Sequence, residues 1–289
     1  MPTVKVNGGT IAYDIFGKGP LLVWNAGGRS GRGARDYLIA GYFARHSSVL
    51  IWDRRNSEGA SDVHLSDAPS ATQADAEDLH AMLQTLDLRP ACVGGGSAGC
   101  ALSLFMAHRY PQDVASILAF YPGTRDLSVR ARLSEKWYPF AEAANSGGMQ
   151  AVIDLTVEAY KKRIVGVADR HDKRVAWLAK SFQANPTNRD KMLAMDPVQF
   201  SAMVRRWGDS VKLGDAVTED EVRAIEVPAL VISGKDDVHP PESATWLAEC
   251  LPASETPVYE DPTKIQTHAE RMAIHLPTID GFLERTRLN

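Results

Sequence analysis

Short apolar runs alternate with amphipathic stretches along the chain, and that rhythm predicts most of its elements. Val4 to Val6 and Thr10 to Ile15 flank the turn signal Asn7-Gly8-Gly9, which predicts an edge hairpin. Leu21-Leu22-Val23-Trp24 and Ser48-Val49-Leu50-Ile51-Trp52 suit strands covered on both faces. Tyr37 to Arg45, between them, predicts a short helix. From Ala71 to Leu86, the residues Ala76, Leu79, Leu83 and Leu86 recur at helical spacing. A short strand follows at Ala91-Cys92-Val93, then a glycine cluster and a helix from Ala98 to Tyr110. Val114 to Tyr121 and Ala229 to Ser233 are again buried strands. A helix from Glu242 to Leu251, a weak strand near Pro257-Val258-Tyr259 and a closing helix from Leu276 to Arg287 complete the pattern.

Strands alternating with helices in this order predict an α/β fold, a mostly parallel twisted sheet with helices on both faces. The rhythm fails from about Pro122 to Glu226, where helical patterns lack convincing strands. Residues 1–122 and 227–289 therefore read as the core, and 123–226 as an inserted helical cap. Most of the cap's large side chains are expected to form its own interior. Trp137 and Trp207 are candidates for lining a substrate pocket beneath it.

Composition removes several classes of function. A formal charge of −4 supplies no global field to hold nucleic acid or an anionic membrane. No stretch approaches the ~18 apolar residues of a spanning helix, and the N-terminus lacks the apolar segment of a signal peptide, so a cytoplasmic location is expected. Three scattered cysteines make neither a disulfide framework nor a zinc site. His64, His80, His108 and His171 show no metal-ligand spacing, and neither metal nor organic cofactor is expected. Oligomeric state is left open.

The chemistry concentrates at Gly95-Gly96-Ser97-Ala98-Gly99, a G-x-S-x-G pattern where a strand hands over to a helix. A serine on so sharp a turn is held strained, with its hydroxyl clear of the sheet. Its neighbours must be small because strand and helix approach closely, and the helix start offers the Ala98 N–H to a developing oxyanion. The same stretch also satisfies G-x-G-x-x-G through Gly94, Gly96 and Gly99, a dinucleotide fingerprint. That alternative requires an acid near the end of the next strand. The strand ends instead in Phe120-Tyr121-Pro122, and Asp126 comes late.

At these residues the sequence resembles the α/β-hydrolase family over nearly the whole chain outside the cap. The resemblance implies a nucleophile at Ser97 and an oxyanion loop at Asn25-Ala26-Gly27-Gly28, where the family's histidine and first glycine are missing. Gly27 is then the favoured second donor beside Ala98, with Gly28 as the alternative. Asp53-Arg54-Arg55-Asn56-Ser57-Glu58-Gly59 resembles a family loop whose role is structural. Gly234-Lys235-Asp236-Asp237-Val238-His239-Pro240-Pro241 matches the acid loop and selects Asp237 over Asp236, with Asp126 as a rival position. His268 is the implied base and His275 its competitor. The order Ser, Asp, His is that of this family.

A serine nucleophile implies hydrolysis of a carboxylic ester or lactone, and the large aromatic cap points to a bulky, partly apolar acyl or alcohol group. Carbon–carbon bond hydrolysis, acyl transfer and perhydrolysis use the same triad, and a ligand receptor can be built on the same scaffold.

Overall fold

The computed structural model describes residues 1–213, 217–257 and 268–286, except for the side chains of Arg170, Arg174 and residues 268–273. Eight strands form one sheet: β1 (Thr3–Val6), β2 (Gly9–Phe16), β3 (Leu21–Asn25), β4 (Ser48–Trp52), β5 (Ala91–Gly96), β6 (Val114–Phe120), β7 (Ala229–Ile232) and β8 (Ser254–Glu255). Their spatial order is β1-β2-β4-β3-β5-β6-β7-β8. The β1–β2 hairpin and the β2–β4 pair are antiparallel, and every later pair is parallel.

The alternation along each strand decides what its two faces bury. Leu22 and Trp24 of β3, Val49 and Ile51 of β4, Leu118 and Phe120 of β6, and Leu230 and Ile232 of β7 share one core. Helices α1 (Ala34–Phe43) and α12 (His268–Arg285) cover it through Ile39, Ala40, Phe43, Leu276, Ile279 and Phe282. The intervening residues Val23, Leu50, Ile117, Ala119 and Val231 face the opposite layer, made by α2 (Ala71–Thr85), α3 (Ala98–Arg109) and α11 (Pro241–Cys250). Ser70 caps α2 by accepting from the Gln73 N–H at 3.0 Å.

Among the described residues between β6 and β7 lie seven helices: α4 (Leu127–Ser134), α5 (Tyr138–Ile164), α6 (Arg170–Val175), α7 (Trp177–Ala184), α8 (Thr187–Leu193), α9 (Pro197–Leu213) and α10 (Glu219–Arg223). Gly147 and Gly148 interrupt α5 with non-helical backbone. This insertion has its own core of Trp137, Phe140, Trp177, Phe200 and Trp207, closed below by Val63, Ala68, Ala71 and Ala74.

Helix α1 runs Ala34–Phe43 where the sequence predicts Tyr37 to Arg45, and two later boundaries also differ from the sequence expectation. The last helix begins at His268 and runs through Pro277, instead of starting near Leu276. Proline favours a first turn, so a start is the natural reading there; within a helix it costs one backbone hydrogen bond. The eighth strand is Ser254–Glu255, defined by pairing to Ala229 and Leu230. Val258 and Tyr259, where the apolar pattern placed it, lie outside the described residues.

Candidate active site

Ser97 stands between β5 and α3 with φ 57° and ψ −116°, a conformation that L-residues rarely adopt. Its N–H donates to the Phe120 carbonyl at 3.1 Å, and its own carbonyl accepts from the N–H groups of Cys100 (2.9 Å) and Ala101 (3.2 Å). The turn is therefore tied to β6 on one side and to α3 on the other. The glycines two residues before and after Ser97 have one shared cause. A β-carbon on either Gly95 or Gly99 would collide with the carbonyl oxygen of Asn25 at the end of β3.

Asn25 is fully buried and knits three elements together. Its Nδ2 donates to Ser103 Oγ at 3.1 Å, and its Oδ1 accepts from Trp52 Nε1 at 2.9 Å. Ser103 Oγ donates in turn to the Gly99 carbonyl at 2.9 Å. Asn25 thus fastens β3 to β4 and to the second turn of α3.

The loop after β3 passes beside the serine. A β-carbon on Gly27 would lie 3.7 Å from Ser97 Cβ, 3.2 Å from the Gly96 carbonyl oxygen and 3.8 Å from Arg35 Nη2. Gly28 has φ 57° and open space where its β-carbon would be. Beneath this loop Arg54 Nη2 donates to the carbonyls of Ala26 (2.9 Å) and Gly28 (2.7 Å). Arg29 and Arg54 share the Asp75 carboxylate at 2.5 Å and 3.5 Å. Burial, partly offset by Asp75, pushes Arg54 down to about 10, so it remains a cation at neutral pH. Burial together with Arg55 and Arg29 pushes His64 down to about 3.

The loop after β7 carries both candidate acids. Asp236 Oδ1 accepts from the backbone N–H groups of Val238 (3.0 Å) and His239 (2.8 Å), and lies 2.9 Å from His239 Nδ1. Burial raises its pKa, but these contacts with His239 and Val238 outweigh that and hold the carboxyl below the usual carboxylate range. Asp237 reaches outward, its side chain 68% exposed, and accepts from Arg132 Nη2 of α4 at 2.9 Å. The rival Asp126 caps α4, accepting from the Ser128 N–H at 2.7 Å.

Ser97, Ala98 and Gly27 are thus brought together, and Asp237 is engaged elsewhere. His268 opens α12, and its side chain lies outside the described residues. His275 is 4% exposed inside α12, edge-on to the rings of Phe120 and Tyr121. The expectation that Trp137 and Trp207 line a pocket needs correction. Each is 1% exposed, and their rings meet edge to face at 5.6 Å, with Trp177 against Trp137 at 5.8 Å. They fill the insertion's interior, where large aromatic surfaces pack edge to face.

Sequence reasoning passed over Arg35 and the bracing by Arg54. Arg54 carried a signal, since it sits in the loop recognised as structural. Arg35 carried none; only the fold brings the start of α1 beside Gly27.

The family model described as "Alpha/beta hydrolase family" matches residues 21–270. The uncharacterized hydrolase YraK of Bacillus subtilis is 28% identical over 122 residues, which are 42% of this chain and 44% of that protein. The chain therefore matches less than half the length of that relative. The enol-lactonase from Burkholderia xenovorans LB400 superposes with a TM-score of 0.61 at 21% identity, over 98% of this chain and 100% of that one. Est816, described as an N-acyl homoserine lactone degrading enzyme, is 25% identical with a TM-score of 0.57, over 97% of this chain and 100% of that one.

Proposed function

The chain belongs to the alpha/beta hydrolase family, and from that premise we propose that it hydrolyses carboxylic esters or lactones of a small molecule through an acyl-serine at Ser97. The observation that carries this reading is the Ser97 turn: left-handed backbone at the start of a helix, flanked by glycines, with Gly27 beside it. Est816, at 25% identity over nearly the whole chain, is described as a lactone-degrading enzyme and supports the bond class.

In this mechanism His268 takes the Ser97 hydroxyl proton as Oγ attacks the carbonyl carbon. Asp237 holds the imidazole tautomer and stabilises its cation, which requires it to leave Arg132 for His268. The N–H groups of Ala98 and Gly27 receive the oxyanion, with Gly28 as the substitute for Gly27; each such donor is worth about 3 kcal/mol of barrier. His268 returns the proton to the departing alkoxide. Water, deprotonated by the same imidazole, then cleaves the acyl-serine and regenerates Ser97. Neither metal nor organic cofactor takes part.

A fluorophosphonate probe tests the assignment. The expected result is a single covalent adduct on Ser97 by peptide mass spectrometry. Ser97→Ala should lower p-nitrophenyl acetate turnover by about a thousandfold or more without changing the melting temperature. An adduct on another residue, or turnover above about a hundredth of wild type, overturns it.

A further inference from the structure

Arg35 lies in the first turn of α1, and its guanidinium is close to the nucleophile. The position a Gly27 β-carbon would take is within 4 Å of both Arg35 Nη2 and Ser97 Cβ. Arg35 also lines a cleft of about 620 Å³ between residues 30–36, the loop at Gly59-Ala60 and helix α7 of the insertion. The other basic side chains of that cleft are already engaged. Arg32 pairs with Asp14 and with Asp53, the latter at 2.9 Å, and Lys180 holds Glu58 at 2.7 Å. Asp36, the neighbouring acid, turns inward, accepting from Trp24 Nε1 at 3.3 Å and from the Gly33 N–H at 3.3 Å. The Arg35 guanidinium makes no hydrogen bond or ion pair with any of the described residues.

Resting on the reading of Ser97 as nucleophile, we propose that Arg35 is a carboxylate-binding residue, and that the substrate is an ester or lactone whose acyl part carries a carboxylate a few carbons from the scissile carbonyl. Two features fix the chemical class. A guanidinium presents a planar fork of N–H donors that matches a carboxylate two-for-two, and it stays charged at any working pH. Its closeness to Gly27 limits the spacer, because one short molecule must reach both the serine and the guanidinium. A succinic or glutaric half-ester has that length. Selectivity then comes from the pairing itself: a neutral analogue forfeits a charge-assisted contact that the anion makes.

The test measures binding separately from turnover. Calorimetry on the Ser97→Ala protein would compare benzyl hydrogen glutarate, a monoanion, with its neutral methyl diester. We expect the monoanion to bind about tenfold or more tightly, a preference that shrinks as salt is raised. Adding Arg35→Gln should erase the preference, and Arg35→Lys should restore part of it. Equal affinity for the two compounds, a preference that survives Arg35→Gln, or no binding of either overturns the proposal. Failure of the hydrolase reading is seen separately, in whether wild-type protein turns over a neutral p-nitrophenyl ester at all. Unfolding of the Arg35 variants, which would confuse the comparison, is checked by their melting temperatures, expected to be unchanged for an exposed side chain.

Discussion

Arg132 of α4 holds Asp237 across 2.9 Å, so the loop after β7 is tied to the first helix of the insertion by the acid the proposed mechanism uses. The pair is exposed on both sides, and such pairs add little to stability. Asp237→Asn is therefore expected to leave the melting temperature nearly unchanged while lowering kcat by about a thousandfold or more. Asp236→Asn should do the reverse: it weakens the turn built on Val238 and His239, with a modest loss of melting temperature and a small effect on kcat. Stopped-flow measurement of the acylation burst for both variants would check this, and a larger kinetic loss in Asp236→Asn would move the acid by one position.

The two histidines of α12 separate by the same logic. His268→Ala should abolish burst and turnover together, since in the proposed mechanism the serine then has no base. His275 is buried against Phe120 and Tyr121, so His275→Ala should lower the melting temperature and leave the pH profile of kcat/KM in place. A shifted profile in His275→Ala would give that residue the proton-transfer role.

Gly95→Ala and Gly99→Ala each drive a methyl group into the Asn25 carbonyl. Relief requires β3 to part from β5 or α3, a cost of about 1–3 kcal/mol or more. Both should unfold at lower urea concentrations than wild type, whereas Gly28→Ala, with open space at its β-carbon, should lose only the smaller cost of its left-handed backbone. Equal midpoints for all three would remove close approach as the reason for the glycines.

Trp137→Ala and Trp207→Ala empty the interior of the insertion. Each is expected to cost about 3–5 kcal/mol by chemical denaturation. The double variant should lose less than the sum, because the two rings touch.

His64 makes acid unfolding steeper. Its pKa falls from 6.5 to about 3 on folding, so between those values the unfolded chain takes up a proton that the folded chain refuses. Its contribution is fully present above pH 6.5 and is lost as the pH falls towards 3. His64→Asn should therefore show a smaller drop in melting temperature between pH 7 and pH 4 than wild type. NMR should find the wild-type His64 ring signal unmoved across that range.

The sequence was most legible where one strand supplies its own evidence. The apolar runs at Leu21, Ser48, Val114 and Ala229 gave strands β3, β4, β6 and β7 to within one residue, because burial on both faces leaves few polar positions. It was least legible where an element is defined by its partner. Ser254–Glu255 is a strand only because β7 offers it hydrogen bonds, and α1 begins at Ala34 because Asp36 accepts from the Gly33 N–H, not because of any apolar stripe. The candidate site divides in the same way. The Ser97 turn announced itself through local spacing, whereas Arg35 and Arg54 come to the Gly27 loop from other elements, and no spacing along one chain encodes that.

Arg54 has an electrical consequence for the loop it supports. In a trans peptide the carbonyl and the following N–H point in opposite directions. With the Ala26 and Gly28 carbonyls both turned to the Arg54 guanidinium, the N–H groups of Gly27 and Arg29 are aimed away from it. The Ala26 and Gly28 carbonyls are spent inside the protein, and in the proposed mechanism it is the Gly27 N–H that meets the substrate. In the proposed mechanism such a loop is polarised before the substrate arrives, so the oxyanion finds its dipoles already aligned and needs no backbone rearrangement to be met.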